Sequence, residues 1–347
     1  MSMTGSVLKQ ALRPLCLLLA VWLPQPLLAE APAKSLWQQS IQAGYQRLAD
    51  ATLALAESTD QYCLAPDTAG REQVEDHWRS AFEAWQAVRW VDFGPVERNN
   101  RAWQFQFWPD PKNLVGRKAR VLLQSAGADL DEAVARGGVA VQGFPMAEYL
   151  LFDQGFNGSA QALPARPACQ VLRAVTRFTA SNAAELSGDW QAFAPHYLSE
   201  AAYTDTTIRA AMAALDILVE RRVAGPMGLR GNGKRSVYAA DAWRSGHSLA
   251  AIRASVAGLQ SQFLPGLSQQ LDRAGKPALA KDIGAGFADT LARLETLPDA
   301  MGPALEGEGF AELQGLYIDL SQLQQAVNRK AAAALGVVRG FNSSDGD

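Results

Sequence analysis

The sequence is poor in histidine, the residue on which most zinc sites and many hydrolytic sites depend. Its 347 residues include three, His77, His196 and His247, and no two of them lie three or four positions apart. A histidine pair of the zinc-protease kind is therefore excluded. His247 has Ser245 and Ser248 as neighbours, but such close neighbours on a helix point in different directions, so no Ser-His relay is predicted.

A strong charge of either sign is also missing. The chain has 32 Lys and Arg residues against 35 Asp and Glu residues, which gives a formal net charge of −3. A protein that binds nucleic acid usually carries a basic field over one face, because the phosphate backbone is negative. The composition therefore argues against nucleic acid as a partner.

The apolar run near the N-terminus, Leu15 to Leu23, is too short to span a bilayer. Lys9 and Arg13 precede it, and the small residues Ala29 and Ala31 follow it. This order of basic, apolar and small residues is typical of a secretory signal peptide. We predict a signal peptide over residues 1–29, cleaved near Ala29 or Ala31, and an exported protein.

Cysteine is scarce, and two of the three cysteines, Cys63 and Cys169, would remain after cleavage. Export places them in an oxidising compartment, where a disulfide between them is permitted. Two buried free thiols are the alternative, because cysteine is often buried in any case. The sequence leaves both alternatives open.

Alternation typical of β-strands is almost absent, whereas helical periodicity runs through nearly the whole chain. The mature chain also exceeds the roughly 250 to 300 residues at which a single core stops growing. The predicted fold class is all-α, with two up-and-down four-helix bundle domains packed together. We place the domains at 30–190 and 195–340, with the boundary in the breaker-rich segment 187–196. The predicted helices are 35–58, 70–91, 114–134, a short one holding Glu148, 168–186, one beginning near 201, 236–263, 277–297 and 309–335.

A long segment without clear periodicity, residues 93–113, interrupts the first domain. It carries two aromatic pairs and a Trp-Pro-Asp-Pro turn. Loops of this length inside a domain are usually functional or disordered, and the aromatic content argues against disorder. We expect the loop to pack as a wall or a lid.

The most informative stretch is VQGFPMAEYLLFD, residues 141–153, in which Glu148 stands alone among apolar side chains. A carboxylate in such a setting is costly to bury without a partner. One interpretation pairs Glu148 with Arg89 or Arg98 in an internal salt bridge. The other makes it a ligand contact, with Asp110 as a further oxygen donor for a hard ion such as Fe(III), Ca or Mg.

The same stretch resembles the signature of the imelysin family of exported bacterial proteins, in which Gly-x-His-x-x-Glu is followed by Tyr-Leu-Leu-Phe. AWQAVRW, FGPV and QFWPDPKN are similar to the segments that precede the signature, and RVAGPMG and DAWRSGHSLAAI are similar to the second domain. Gly143 and Glu148 match the signature, but Pro145 stands at the histidine position. Proline offers no side-chain lone pair, so the resemblance loses its only imidazole ligand.

The resemblance implies two four-helix bundles, a periplasmic or outer-membrane setting, an association with iron uptake, and a ligand site near the motif helix. We expect a non-enzymatic binding or accessory protein with a pocket at the domain interface and no catalytic residue. Its ligand would be an iron species or a small anion, and its partner a membrane protein of iron transport. A metallopeptidase and a ligand-free interaction module that presents the aromatic loop are the alternatives. The predicted site residues are Glu148, Gly143, Pro145, Trp85, Arg89, Arg98, Trp108 and Asp110, with Glu148 as the metal candidate.

Overall fold

A computed structural model describes residues 1–2, 32–125, 129–231, 233–307 and 309–338. Over these ranges the chain is helical and contains no β-strand, which confirms the predicted all-α class. The described residues from Pro32 onward form one compact unit. The predicted signal peptide falls almost entirely on residues outside the described ranges. None of the helices in the described part of the chain has both the length and the apolar character that a membrane crossing requires.

Three long helices build the first bundle: α1 (Ala33–Leu64), α2 (Thr68–Val88) and α8 (Arg166–Ser199). Asp67 begins α2, because its side chain accepts a hydrogen bond from the backbone N–H of Gly70 at 2.6 Å. Helix α1 packs along both α2 and α8.

Cys63, at the end of α1, and Cys169, at the start of α8, form a disulfide with their Cα atoms 5.6 Å apart. Of the two alternatives that the sequence left open, the structure has the disulfide. The bond links the ends of two helices, and its two cysteines are 106 positions apart in the sequence.

Shorter elements connect these long helices. Residues Gly94–Asn100 form a 3-10 helix inside the segment that was expected to be a loop. The predicted helix 114–134 is interrupted, because α4 ends at Leu123 and a new helix begins beyond Asp129, which caps it. The elements are α3 (Arg101–Phe105), α4 (Leu114–Leu123), α5 (Leu130–Arg136), α6 (Gly143–Phe152) and α7 (Gln154–Asn157).

The second half of the chain is also helical, and three of its helices carry a π-helical turn. The turns are Leu218–Val223, Leu259–Phe263 and Ala326–Ala331. Such turns often mark functional positions in a helix. The helices are α9 (Tyr203–Ile217), α10 (Ser248–Gly258), α11 (Leu264–Arg273), α12 (Pro277–Thr296), α13 (Met301–Ala304), α14 (Gly309–Gln325) and α15 (Ala332–Leu335).

The two halves of the chain meet where α10 packs on α2. At Gly258 the helices are so close that a Cβ atom would lie 2.0 Å from the carbonyl oxygen of Ala87, so only glycine fits there. Farther along, the indole N–H of Trp37 donates to the carbonyl oxygen of Phe263 at 2.7 Å. These contacts hold the second half against the first.

Segment 187–196 was expected to be a break between helices, and it is instead part of α8. Trp190 is fully buried in this segment and packs against Tyr45. Gly188 and Pro195 are tolerated because the burial of an aromatic side chain outweighs local helix propensity. The division of the chain into two domains stays a prediction.

The predicted helix 236–263 is also wrong in its first half, since α10 begins only at Ser248. Ala242 and Gly246 have left-handed backbone conformations, with φ of 49° and 66°. A helix cannot pass through such residues. The irregular segment 240–247 faces the candidate site.

Candidate functional site

A cavity of about 300 Å³ lies between helix α6, the segment 106–113 and the segment 238–244. Its size is at the lower end of the range of small-molecule sites, about 300–1,000 Å³. The segment 106–113 forms one side of it, so the interpretation of 93–113 as a wall is confirmed for this part. The lining residues are Trp78, Phe82, Gln106, Phe107, Trp108, Asp110, Pro111, Asn113, Val115, Phe144, Pro145, Glu148, Asp153, Tyr238, Ala240, Asp241, Ala242, Trp243 and Arg244.

Helix α6 carries Glu148 to the cavity. Gly143 begins the helix with φ of 69°, and a Cβ atom there would lie 2.2 Å from the carbonyl oxygen of Gln104. Glycine is therefore needed for α6 to approach the backbone of the wall segment. Pro145 lies in the first turn, as expected, and lines the cavity.

The partner of Glu148 is Ser245, a residue of the second half of the chain. The backbone N–H and the hydroxyl of Ser245 both donate to Oε1 of Glu148, each at 2.9 Å. The expected salt bridge with Arg89 or Arg98 is therefore wrong. No hydrogen bond within the described chain occupies Oε2, although Glu148 is only 4% exposed.

Burial raises the pKa of Glu148 above its ordinary value. The two donors of Ser245 and the nearby Arg244 oppose this shift, whereas the charge of Asp241 adds to it. An adjacent arginine by itself would hold the carboxylate in its charged form. Desolvation outweighs that effect, because the protein interior stabilises a charge less well than water does.

Arg89 and Trp85 lie one layer behind the cavity and do not line it. Both donate to Oε1 of Gln106, Arg89 at 2.7 Å and Trp85 at 3.0 Å. Burial and the neighbouring Arg222 lower the pKa of Arg89 to about 10, so it remains charged at neutral pH. These two predicted site residues hold Gln106, and Gln106 reaches the cavity.

Of the remaining predicted site residues, Asp110 and Trp108 line the cavity, and Arg98 does not. Both carboxylate oxygens of Asp110 accept from backbone N–H groups at the start of α4, at 2.7 and 2.9 Å. Asp110 is therefore a helix cap. The side chain of Arg98 is 62% exposed and lies 3.9 Å from Asp189.

Asp241 is a lining residue that the sequence analysis missed. It is 2% exposed, and its Oδ2 lies 2.9 Å from Arg222, 3.8 Å from Arg89 and 3.2 Å from the amide of Gln106. Its Oδ1 has no hydrogen-bond partner among the described residues. Arg222, which is equally buried, lies on the π-helical turn after α9.

Arg244 was also missed, and it fastens the irregular segment to the first half. Its guanidinium donates to Asp153 at 2.9 Å and to Asn113 at 3.0 Å, and it lies 4.3 Å from the ring of Trp243. The motif DAWRSGHSL was the available signal for Asp241, Arg244 and Ser245. The sequence analysis used this motif only for the family resemblance. Because a helix was predicted there, none of the three residues was identified as part of the site.

The histidines of the chain do not enter the cavity lining. Nε2 of His247 lies 2.7 Å from Oε1 of Glu83. This nitrogen is therefore not placed to act as a base for Ser245. Throughout ranges 32–125, 129–231, 233–307 and 309–338, no three His, Cys, Asp or Glu side chains are grouped as ligands for a metal ion. Two carboxylates of the lining, Glu148 and Asp241, each have one oxygen without a hydrogen-bond partner in the described chain.

Comparisons with known proteins agree with the all-helical fold. An imelysin-like protein from Psychrobacter arcticum 273-4 shares the fold with a TM-score of 0.77 and 20% identity, over 90% of this chain and 99% of that one. An iron-regulated protein A precursor from Parabacteroides distasonis ATCC 8503 has a TM-score of 0.62 and 15% identity, over 90% and 96%. No curated protein matches the sequence. The family model for imelysin matches residues 41–327, and the chain therefore belongs to the imelysin family.

Proposed function

We propose that the protein is a non-enzymatic, periplasmic binding protein that serves iron acquisition as an accessory component, with the cavity around Glu148 as its ligand site. The observation that carries this proposal is the meeting of Glu148 and Asp241, from distant parts of the chain, at one cavity. Contacts within the protein use one oxygen of each carboxylate, and the other oxygen has no hydrogen-bond partner in the described chain.

The link with iron and with export is supported by the name of the Parabacteroides distasonis neighbour, an iron-regulated precursor. Export is supported further by the layout of the first 29 residues. A transport protein in the membrane would be the partner that receives or supplies the ligand. This partner is inferred from the family resemblance alone.

A non-enzymatic role fits the chemistry of the site better than peptidase activity does. Pro145 supplies no metal ligand at the motif position, and the hydroxyl of Ser245 is engaged by Glu148 and by the carbonyl oxygen of Ala242. If the protein were a metallopeptidase, it would cleave an unfolded protein substrate, and a chelator would stop the cleavage. We expect no such cleavage, and its appearance would overturn the non-enzymatic assignment.

Calorimetric titration of the chain from Pro32 onward with ferrous iron, ferric citrate and haem tests the proposal. We expect saturable binding of one iron species, weakened at least about tenfold in Glu148→Gln, since hydrogen bonds to charged groups contribute about 1.5–3 kcal/mol. Glu72→Gln is the matched control, because Glu72 is exposed and lies outside the cavity lining. Equal binding by Glu148→Gln, or no binding by the unchanged protein, would contradict the proposal.

A further inference from the structure

The lining of the cavity combines many aromatic rings with an excess of acids. Seven of its nineteen residues are aromatic, four are acidic, and Arg244 is the single basic one. Trp78, Trp108, Tyr238 and Trp243 are among the rings. Aromatic faces carry partial negative charge and attract cations, as carboxylates do.

Two of the four acids are already committed to the protein. Asp110 caps helix α4 with both oxygens, and Asp153 accepts from Arg244. The other two, Glu148 and Asp241, are each held through one oxygen only. Their remaining oxygens, Oε2 and Oδ1, have no hydrogen-bond partner among the described residues.

The positive charges near Asp241 lie behind it. Arg222 and Arg89 approach Oδ2, the oxygen that the protein already uses, and neither residue lines the cavity. They pair with Asp241 without offering a positive group to a ligand in the cavity. Four acidic residues line the cavity against one arginine, and this balance of charge disfavours the small anionic ligand that the sequence suggested.

We propose that the cavity binds the alkylammonium group of a small organic cation, with the nitrogen beside Glu148 and Asp241 and its carbon substituents against the aromatic rings. This inference rests on the proposed function, since it assumes that the cavity is the ligand site. Aromatic rings suit the carbon substituents of an ammonium. The volume of about 300 Å³ suits a compact cation.

The test compares ammonium compounds with neutral molecules of the same shape. Choline is paired with 3,3-dimethylbutan-1-ol, in which carbon replaces the charged nitrogen, and n-butylammonium is paired with n-butanol. Binding is measured by calorimetry and by tryptophan fluorescence, which Trp78, Trp108 and Trp243 would report. The first pair detects methylated ammonium groups and the second detects primary ones.

We expect one of the two cations to bind saturably, and its neutral counterpart to bind at least about tenfold more weakly. Glu148→Gln should remove that preference, and its amide oxygen can still accept from Ser245. Tyr238→Ala should weaken the cation severalfold; Tyr238 is 72% exposed, so its loss leaves the fold intact. Trp103→Ala is the aromatic control, since Trp103 is 46% exposed and lies outside the lining.

Equal affinity for a cation and its neutral counterpart, tighter binding of acetate, or no binding of either cation would overturn the inference. The iron titration on the same preparation separates the two proposals. Iron binding that depends on Glu148, without ammonium binding, would leave the proposed function standing and remove this inference. Ammonium binding without iron binding would confirm the cavity as a cation site and remove the assignment to iron.

Discussion

Ser245 donates two hydrogen bonds to a single oxygen of Glu148, one from its backbone and one from its hydroxyl, each 2.9 Å long. The two residues are 97 positions apart. Because both bonds use Oε1, the carboxylate is fixed in orientation while Oε2 is left without a protein donor in the described chain. In the proposed function, Oε2 is the oxygen of Glu148 that contacts the ligand.

The hydroxyl of Ser245 should contribute to stability through this contact. Ser245→Ala keeps the backbone donor and removes the hydroxyl donor, so we expect a loss of about 1 kcal/mol in the free energy of unfolding. Urea unfolding at pH 7 measures it. Ser261→Ala is the control, because its hydroxyl bonds only to carbonyl groups of its own helix on the surface. A loss no larger than in the control would contradict the assignment.

The raised pKa of Glu148 makes a prediction about pH. In the pH window between the ordinary glutamate pKa of 4.5 and the raised pKa of Glu148 in the folded protein, the folded state binds more protons than the unfolded state. The free energy of unfolding therefore falls as pH rises through this window, and the full destabilisation is present above the window. Glu148→Gln removes the ionisation and should unfold at a higher temperature than the unchanged protein at pH 7.5.

The advantage of Glu148→Gln should disappear below the ordinary pKa, where the carboxyl is protonated in both states. Thermal unfolding at pH 7.5 and pH 4 makes the comparison. A variant that is less stable than the unchanged protein at pH 7.5, or equally more stable at both pH values, would show that ionisation of Glu148 carries no such cost.

The buried pair of Arg222 and Asp241 should be far more sensitive to substitution than an exposed pair. Arg222→Met leaves Asp241 without its nearest cation, and we expect a loss of about 3–5 kcal/mol. Arg98→Met breaks an exposed contact with Asp189 and should cost less than about 1 kcal/mol. Denaturant unfolding of both variants is the measurement, and similar losses would contradict the importance of the buried pair.

The disulfide between Cys63 and Cys169 closes a loop of 106 positions. Crosslinks over loops of this length restrict the unfolded chain and stabilise the folded one by about 4–5 kcal/mol in the chain-entropy estimate. Replacing both cysteines by serine should lower the free energy of unfolding by a comparable amount. If the double variant and the oxidised protein unfold at the same denaturant concentration, the bond contributes nothing measurable.

Local patterns in the sequence were sufficient for the helical class, for most helix positions and for the isolation of Glu148 among apolar residues. Helical periodicity repeats within a few residues, so it can be read without knowledge of the fold. The aromatic segment 93–113 was expected to pack as a wall or a lid, and Trp108 and Asp110 of this segment line the cavity together with Pro145. Family membership followed from the motif around Glu148 and its neighbouring segments.

Only the tertiary structure decided what Glu148 contacts. Asp241 lines the cavity and Ser245 contacts Glu148 from a segment in which Ala242 and Gly246 take left-handed conformations that interrupt the expected helix. Their partners, Glu148 and Arg222, lie on separate helices. The sequence by itself determined most of the helical segments and the isolation of one acid among apolar residues, because these properties depend on near neighbours. The pairing of buried charges was decided by the packing of segments far apart in the chain, since such contacts exist only after those segments meet.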